Sequence, residues 1–172
     1  MWVYSNFQEV EMFLNEKSLG RKKREPHGHL EWQSSYEPGQ LRAVGYLDGE
    51  ACMQKIICTT GEPDSIVMEA DRNILMADGC DTACIRVSIL DVNGGVVPTS
   101  DNLIRFAVQG SGRILGGGNG DPSSHEVDKA VQRHVFGGKC LCIVQEGEEK
   151  GEICLKASLE NLGDATCHLI LT

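Results

Sequence analysis

Aromatic residues are scarce. Phenylalanine, tryptophan and tyrosine together make up 5% of the 172 residues, too few for an evident sugar-stacking platform. Positive charge is short as well: 16 Lys and Arg face 25 Asp and Glu, for a net charge of -9. Such a surface repels phosphate backbones and argues against nucleic acid as a partner. No apolar run is long enough to span a bilayer, so no membrane partner is expected. No Cys-x-x-Cys pair is present, which disfavours a zinc ribbon. Neither the Gly-x-Gly-x-x-Gly spacing of a dinucleotide loop nor the Gly-Lys-Ser/Thr ending of a phosphate loop occurs. There is no basic leader either. Met1 runs straight into Trp2-Val3-Tyr4, so we expect Met1 to stand in front of an internal segment. What remains is an ordinary globular balance, 41% hydrophobic and 24% charged, which excludes wholesale disorder.

Cysteine, in contrast, is plentiful. Cys52, Cys58, Cys80, Cys84, Cys140, Cys142, Cys154 and Cys167 form an even set, which invites a disulfide framework. Their placement favours another reading. Cys140 and Cys142 lie two apart on one strand and point to one face. Cys142, Cys154 and Cys167 sit among Val, Ile and Leu, where a free thiol behaves as a small hydrophobe. Reduced core thiols and a reducing, cytoplasmic compartment are expected.

The dominant hydrophobic period is two. Val10, Met12 and Leu14 alternate with Glu9, Glu11 and Phe13, and Leu30, Trp32 and Tyr36 with Glu31, Gln33 and Ser35. Asn15-Glu16-Lys17 and Glu37-Pro38-Gly39 read as turns, and Asp48-Gly49 joins strands Leu41 to Leu47 and Cys52 to Thr59 as a hairpin. Thr60 to Asp64 breaks the pattern and reads as a linker. A second series begins at Ser65, with inward rows Ile85, Val87, Ile89 and Ile104, Phe106, Val108. Strands every eight to twelve residues predict antiparallel sandwiches. One short helix is expected, around Glu126 to Arg133. The Arg21-Lys22-Lys23-Arg24 cluster reads as a solvated hairpin edge, since cations protect exposed edges.

Several groups of residues invite a chemical reading. Gly116-Gly117-Gly118-Asn119-Gly120-Asp121 is best explained as a loop needing positive backbone angles or close backbone approach. Asp121, His125, Glu126 and Asp128 follow it, and Asp91-x-Asn93-Gly94 begins like a calcium loop. Neither supplies the ligand steps of one, so hydrogen-bonded loop residues are expected. His27-Gly28-His29 offers two imidazoles without a carboxylate or thiolate partner, an incomplete metal site. His134 and His168 lie at outward or edge positions with no adjacent activated serine or cysteine, so no triad is expected. The carboxylates of Glu146 to Lys150 read as solvated hairpin residues rather than a glycosidase pair. Trp32 is a core candidate, and Trp2 is a residue left uncovered. No catalytic, cofactor-binding or metal-binding residue is assigned, and no cofactor is expected.

The order of motifs carries a resemblance. Trp2-Val3-Tyr4-Ser5-Asn6, Val10 to Asn15, Ser18-Leu19-Gly20, Tyr36 to Leu41 and Ala43 to Tyr46 resemble the segment that follows the catalytic barrel in glycoside hydrolase family 2 enzymes, bacterial beta-galactosidases above all. Ala77-Asp78-Gly79-x-Asp81, Asp91-x-x-Gly94, Val97-Pro98, Arg105-Phe106, Gly116 to Pro122 and Phe136-x-Gly138 resemble the next domain of the same enzymes. One departure is Ser34-Ser35, where an apolar residue and proline are more usual. The resemblance implies two immunoglobulin-like antiparallel β-sandwich domains in tandem, residues 1-61 and 64-172. It implies a non-catalytic accessory role in a parent that hydrolyses terminal β-glycosidic bonds. The implied partners are the parent's catalytic barrel and, through a subunit interface, a homo-oligomer of the parent. No position matches the family's catalytic glutamates, so the chain alone is expected to be inactive. A free-standing immunoglobulin-like module that binds carbohydrate or protein is the alternative reading.

Overall fold

A computed structural model of the chain describes residues 1–172. The fold is all-β, as the period of two predicts, and no helix is present. The chain divides into two units, Met1–Thr59 and Thr60–Thr172.

The first unit is one four-stranded sheet with a two-stranded ribbon over it. The ribbon pairs β1 (Trp2–Val3) with β4 (Leu30–Glu31). Between them in sequence come β2 (Glu9–Leu14) and β3 (Lys17–Lys23), followed after the ribbon by β5 (Gln40–Leu47) and β6 (Glu50–Cys58). The sheet order is β3-β2-β5-β6. Val10 and Met12, two apart on β2, point to one face and meet Leu30 and Trp32; these four make the buried core. Trp32 also donates its indole N–H to Gly20 O at 3.0 Å. Both hairpin turns have positive φ at each central residue, Asn15 and Glu16 in one, Asp48 and Gly49 in the other. This is the turn handedness that matches strand twist.

One side chain organises the far end of this sheet. Asn15 accepts from Gln40 N at 2.9 Å and donates to Pro38 O at 3.0 Å. Gly39 lies between those two residues at φ 135°, and a Cβ there would overlap the Asn15 amide. The Pro38-Gly39-Gln40 motif is thus a seat for Asn15. The two sheet edges differ sharply. On β3, Arg21 pairs with Glu9 at 2.5 Å and lies over the Tyr46 ring, and Lys22 donates to Glu31 O at 2.6 Å. On β6 every residue is exposed, including Met53 and Ile57.

The second unit is an immunoglobulin-like sandwich of two sheets. Its strands are β7 (Ser65–Ala70), β8 (Ile74–Leu75), β9 (Thr82–Leu90), β10 (Leu103–Gly110), β11 (Gly112–Gly118), β12 (Gln132–His134), β13 (Lys139–Glu146), β14 (Gly151–Leu159) and β15 (Gly163–Leu171). One sheet has the order β12-β10-β14-β15-β8 and the other β11-β13-β9-β7. The pairing is antiparallel except between β15 and β8. Alternation sets the core. Ile85, Val87 and Ile89 of β9 and Cys140, Cys142 and Val144 of β13 face Ile104, Phe106, Ile153, Leu155 and Leu169 of the opposing sheet. Each fully buried aliphatic side chain of this size contributes roughly 1.5–3 kcal/mol. The segment after Thr60 is held to this unit. Gly61 N donates to Asp91 Oδ2 at 2.8 Å, and Asp64 N donates to Leu90 O at 2.8 Å.

Three expectations are corrected. The stretch 126–133 is not a helix; it is a turn leading into β12, because Arg133 turns inward and binds loop carbonyls. Tyr36 does not extend the row of Leu30 and Trp32. β4 ends at Glu31, and Tyr36 is 79% exposed. Glu146 is not a solvated hairpin residue. It continues the inward row of Cys142 and Val144, is buried, and accepts from Asp81 N at 3.3 Å through Oε1.

Candidate functional site

The glycine-dense loop was the strongest motif in the sequence, and its geometry is architectural. β11 carries a bulge between Ile114 and Gly116. A Cβ on Gly116 would overlap the carbonyl of Asp128, and one on Gly117 the carbonyl of Leu141. At these two positions the loop is pressed between two backbones and only glycine fits, whereas Gly118 and Gly120 face open space. Gly117 N donates to Asp128 O at 2.8 Å. Asn119 donates to His134 O at 3.0 Å and accepts from Asp121 N at 3.0 Å. Asp121 in turn accepts from Ser123 N and Ser123 Oγ. Those two bonds hold its carboxyl below the ordinary 3.8.

Arg133 is the hub that the sequence did not expose. Its side chain is 3% exposed. Nη2 donates to Gly117 O at 2.6 Å, Val127 O at 3.2 Å and Asp128 Oδ1 at 3.3 Å. Glu126 Oε2 lies 3.7 Å from Nη1. Glu126 also meets the His134 ring at 2.9 Å. Burial pushes the Glu126 carboxyl up, but the His134 ring and backbone donors, with the charges of His134 and Arg133, outweigh it and leave it below 4.5. Glu126, Asp128 and His134 are thus tied together around Arg133 as a cross-brace between loop and strand, whereas the Asp121 carboxylate bonds only Ser123. His125 is exposed. Any anion entering here would meet the carboxylates of Asp121, Glu126 and Asp128.

Asp91 is a second brace. It is buried and accepts from Gly61 N, Gly95 N at 2.7 Å and Asn93 N at 3.0 Å. The Gly61 bond, then the Gly95 bond, hold its carboxyl below 3.8. No three His, Cys, Asp or Glu side chains converge to hold a metal ion.

A cleft of about 630 Å³ lies along β7 and β15 and is lined in part by Glu69, Asp71, Cys84, Arg86, Cys167 and His168. Four of its lining residues are engaged with one another. Asp71 accepts from Cys84 N at 2.9 Å, and Glu69 pairs with Arg86 at 3.4 Å. Burial raises the Cys167 thiol. His168 at its rim faces a different set: Nδ1 lies 2.6 Å from Glu152 Oε1, and Nε2 lies 3.9 Å from Cys154 Sγ. The sequence put no cysteine beside His168, because strand register decides this neighbour and spacing cannot show it.

In the first unit, His27 and His29 do not converge on a metal. His29 packs with Trp2, ring centroids 4.8 Å apart, and with Tyr4 at 5.8 Å. Trp2 is 64% and Tyr4 74% exposed, so the three rings form an open aromatic patch. No helix of the chain is long and apolar enough to cross a membrane.

Comparison with known proteins places this architecture. Residues 66–168 match the family described as glycoside hydrolase family 2 C-terminal domain 5, and residues 1–53 match a domain of unknown function, DUF4982. A beta-galactosidase of Bacteroides ovatus is 41% identical over 98% of this chain and 20% of its own length. A beta-galactosidase of Thermoanaerobacter pseudethanolicus is 28% identical over 90% of this chain and 21% of its own length. The crystal structure of a glycosyl hydrolase family 2 member from Bacteroides cellulosilyticus superposes with a TM-score of 0.94 at 31% identity, covering 99% of this chain and 22% of that one. The chain spans about a fifth of the length of these relatives. With three-fifths of its length inside that domain model and both units superposable on family members, the chain belongs to glycoside hydrolase family 2, in the C-terminal region of that architecture.

Proposed function

We propose that the chain is a non-catalytic accessory region of a larger enzyme that hydrolyses terminal β-glycosidic bonds. It comprises two domains, residues 1–61 and 64–172. Its task is to seat against the catalytic barrel, with a subunit interface as the further surface it can extend. One observation carries this reading: the exposed patch of Trp2, Tyr4 and His29. Large aromatic side chains left open together mark a surface meant to be covered. The braces around Arg133 and Asp91 add support, since their carboxylates are spent on holding loops rather than on paired acid and base chemistry.

The test compares the chain with the enzyme that contains it. The purified 172-residue chain is expected to leave a nitrophenyl β-galactoside unhydrolysed. In the full-length enzyme, Trp2→Ala with Tyr4→Ala is expected to lower the thermal midpoint of the barrel. Turnover by the isolated chain, lost on changing one of its glutamates, would overturn the proposal.

A further inference from the structure

The outer face of the β12-β10-β14-β15-β8 sheet carries a row of chemistry that the accessory role does not use. Cys154 on β14 stands directly opposite His168 on β15 and opposite Gln109 on β10. The neighbours Ile153, Leu155 and Leu169 are buried on the other face, so alternation points Cys154 and His168 outward together. The His168 ring links the two ends of the row. Its Nδ1 is 2.6 Å from Glu152 Oε1 and its Nε2 is 3.9 Å from Cys154 Sγ. With Nδ1–H donated to the carboxylate, the lone pair of Nε2 faces the thiol. A base beside the nucleophile, oriented by a third group, is the arrangement that activates a thiol.

The other seven cysteines lack it. None of them hydrogen-bonds an imidazole; Cys52 Sγ donates only to Glu50 O at 3.4 Å. Burial pushes Cys140 and Cys142 up to about 12. Cys154, in contrast, is half-buried beneath solvent-facing partners, with the His168 and Glu152 side chains 57% and 60% exposed.

We propose that Cys154 is a nucleophilic thiol, with His168 as its base and Glu152 as a positioning residue, and that it is a modification site for α,β-unsaturated carbonyl compounds. As sulfur attacks the β-carbon, the S–H proton passes to His168 Nε2. The carbon–carbon π pair moves to form the enolate, and the proton is then returned to the α-carbon. One S–C bond forms, the π bond is lost, and no oxidant or reductant is consumed.

Competitive labelling of the 172-residue chain with limiting N-ethylmaleimide, read cysteine by cysteine by peptide mass spectrometry, tests this. Cys154 is expected to react about tenfold faster than the more exposed Cys52, Cys58 and Cys80. His168→Gln should bring Cys154 down to their rate while leaving their own rates unchanged. Glu152→Gln should give about a threefold loss, partly regained in Glu152→Asp, as a positioning role requires. Persistent protection of Cys140 and Cys142 shows that each variant is folded; should His168→Gln expose them, the two Glu152 variants decide. Equal rates for Cys154 and Cys52 in the unchanged chain, or a Cys154 rate untouched by the folded variants, would overturn the proposal.

Discussion

The second unit buries eighteen hydrophobic side chains in one cluster, whereas the first buries four. The first holds its shape by other means: the Asn15 seat, the indole N–H of Trp32 on Gly20, and Arg21 lying between Glu9 and Tyr46. Several of its larger apolar side chains, Trp2, Tyr36, Met53 and Ile57, face outward. The contrast teaches where each unit draws its stability. A closed sandwich holds itself together by burial, while a single sheet under a two-residue ribbon depends on polar clamps and on whatever covers its open faces.

Paired core truncations test this difference most severely. Trp32→Ala should remove about 3–5 kcal/mol from the first unit, and Ile85→Ala about 2–5 kcal/mol from the second. Hydrogen exchange resolved by peptide should show amides of β2 and β5 opening in the first variant while β9, β13 and β14 stay protected. Given its larger core, the second variant should remain folded under the same conditions. Loss of protection in both units from either change would break the comparison, because it would make them one cooperative body.

A smaller effect is expected at the buried cation. Arg133→Met should cost about 2 kcal/mol, since it leaves the carbonyls of Gly117 and Val127 without their donor and the Glu126 carboxylate without its paired cation. Exchange at 116–121 should accelerate before the rest of the second unit. Uniform loss across the unit would show that the loop is not separately braced.

The mildest perturbation is protonation. The amides of Gly61 and Gly95 lower the folded pKa of Asp91 beneath 3.8. A depressed carboxyl contributes stability that is present above its unfolded value and lost as pH falls through the lower folded one. Melting of the second unit should therefore weaken from about pH 4 downward. Asp91→Asn should lower the midpoint at neutral pH and flatten that acid limb, and an unchanged limb would remove Asp91 from the account.

Much of this was legible in the chain itself. The alternation of Ile85, Val87 and Ile89 gave the inward face of β9, and Asp48-Gly49 gave the β5–β6 hairpin through backbone sterics alone. Trp32 was readable as core because Leu30 shares its parity. The close-approach reading of Gly116 and Gly117 also stands, since glycine has few other uses at that density. What escaped were features set by register between distant strands. Spacing gives no sign that β8 pairs in parallel with β15, or that His168 lies across from Cys154. Arg133 escaped for a different reason. A charged residue in a short polar stretch normally points to water, and only the surrounding carbonyls make its burial favourable. Glu146 escaped similarly, because a carboxylate beside a hairpin normally points to water, whereas here strand parity turns it inward.

The parallel pairing of β8 with β15 bears on the order of folding. Thr172 Oγ1 donates to Leu75 O across 97 residues, and β15 sits inside its sheet, between β14 and β8. Local hairpins such as β14 with β15 can form early, but this closure brings together ends separated by most of the unit. Its loop entropy must be met before the pairing returns any contact energy. The second unit is therefore expected to be a slow folder whose last step is the docking of a two-residue strand, with Leu75 sealing the core only when that step is complete.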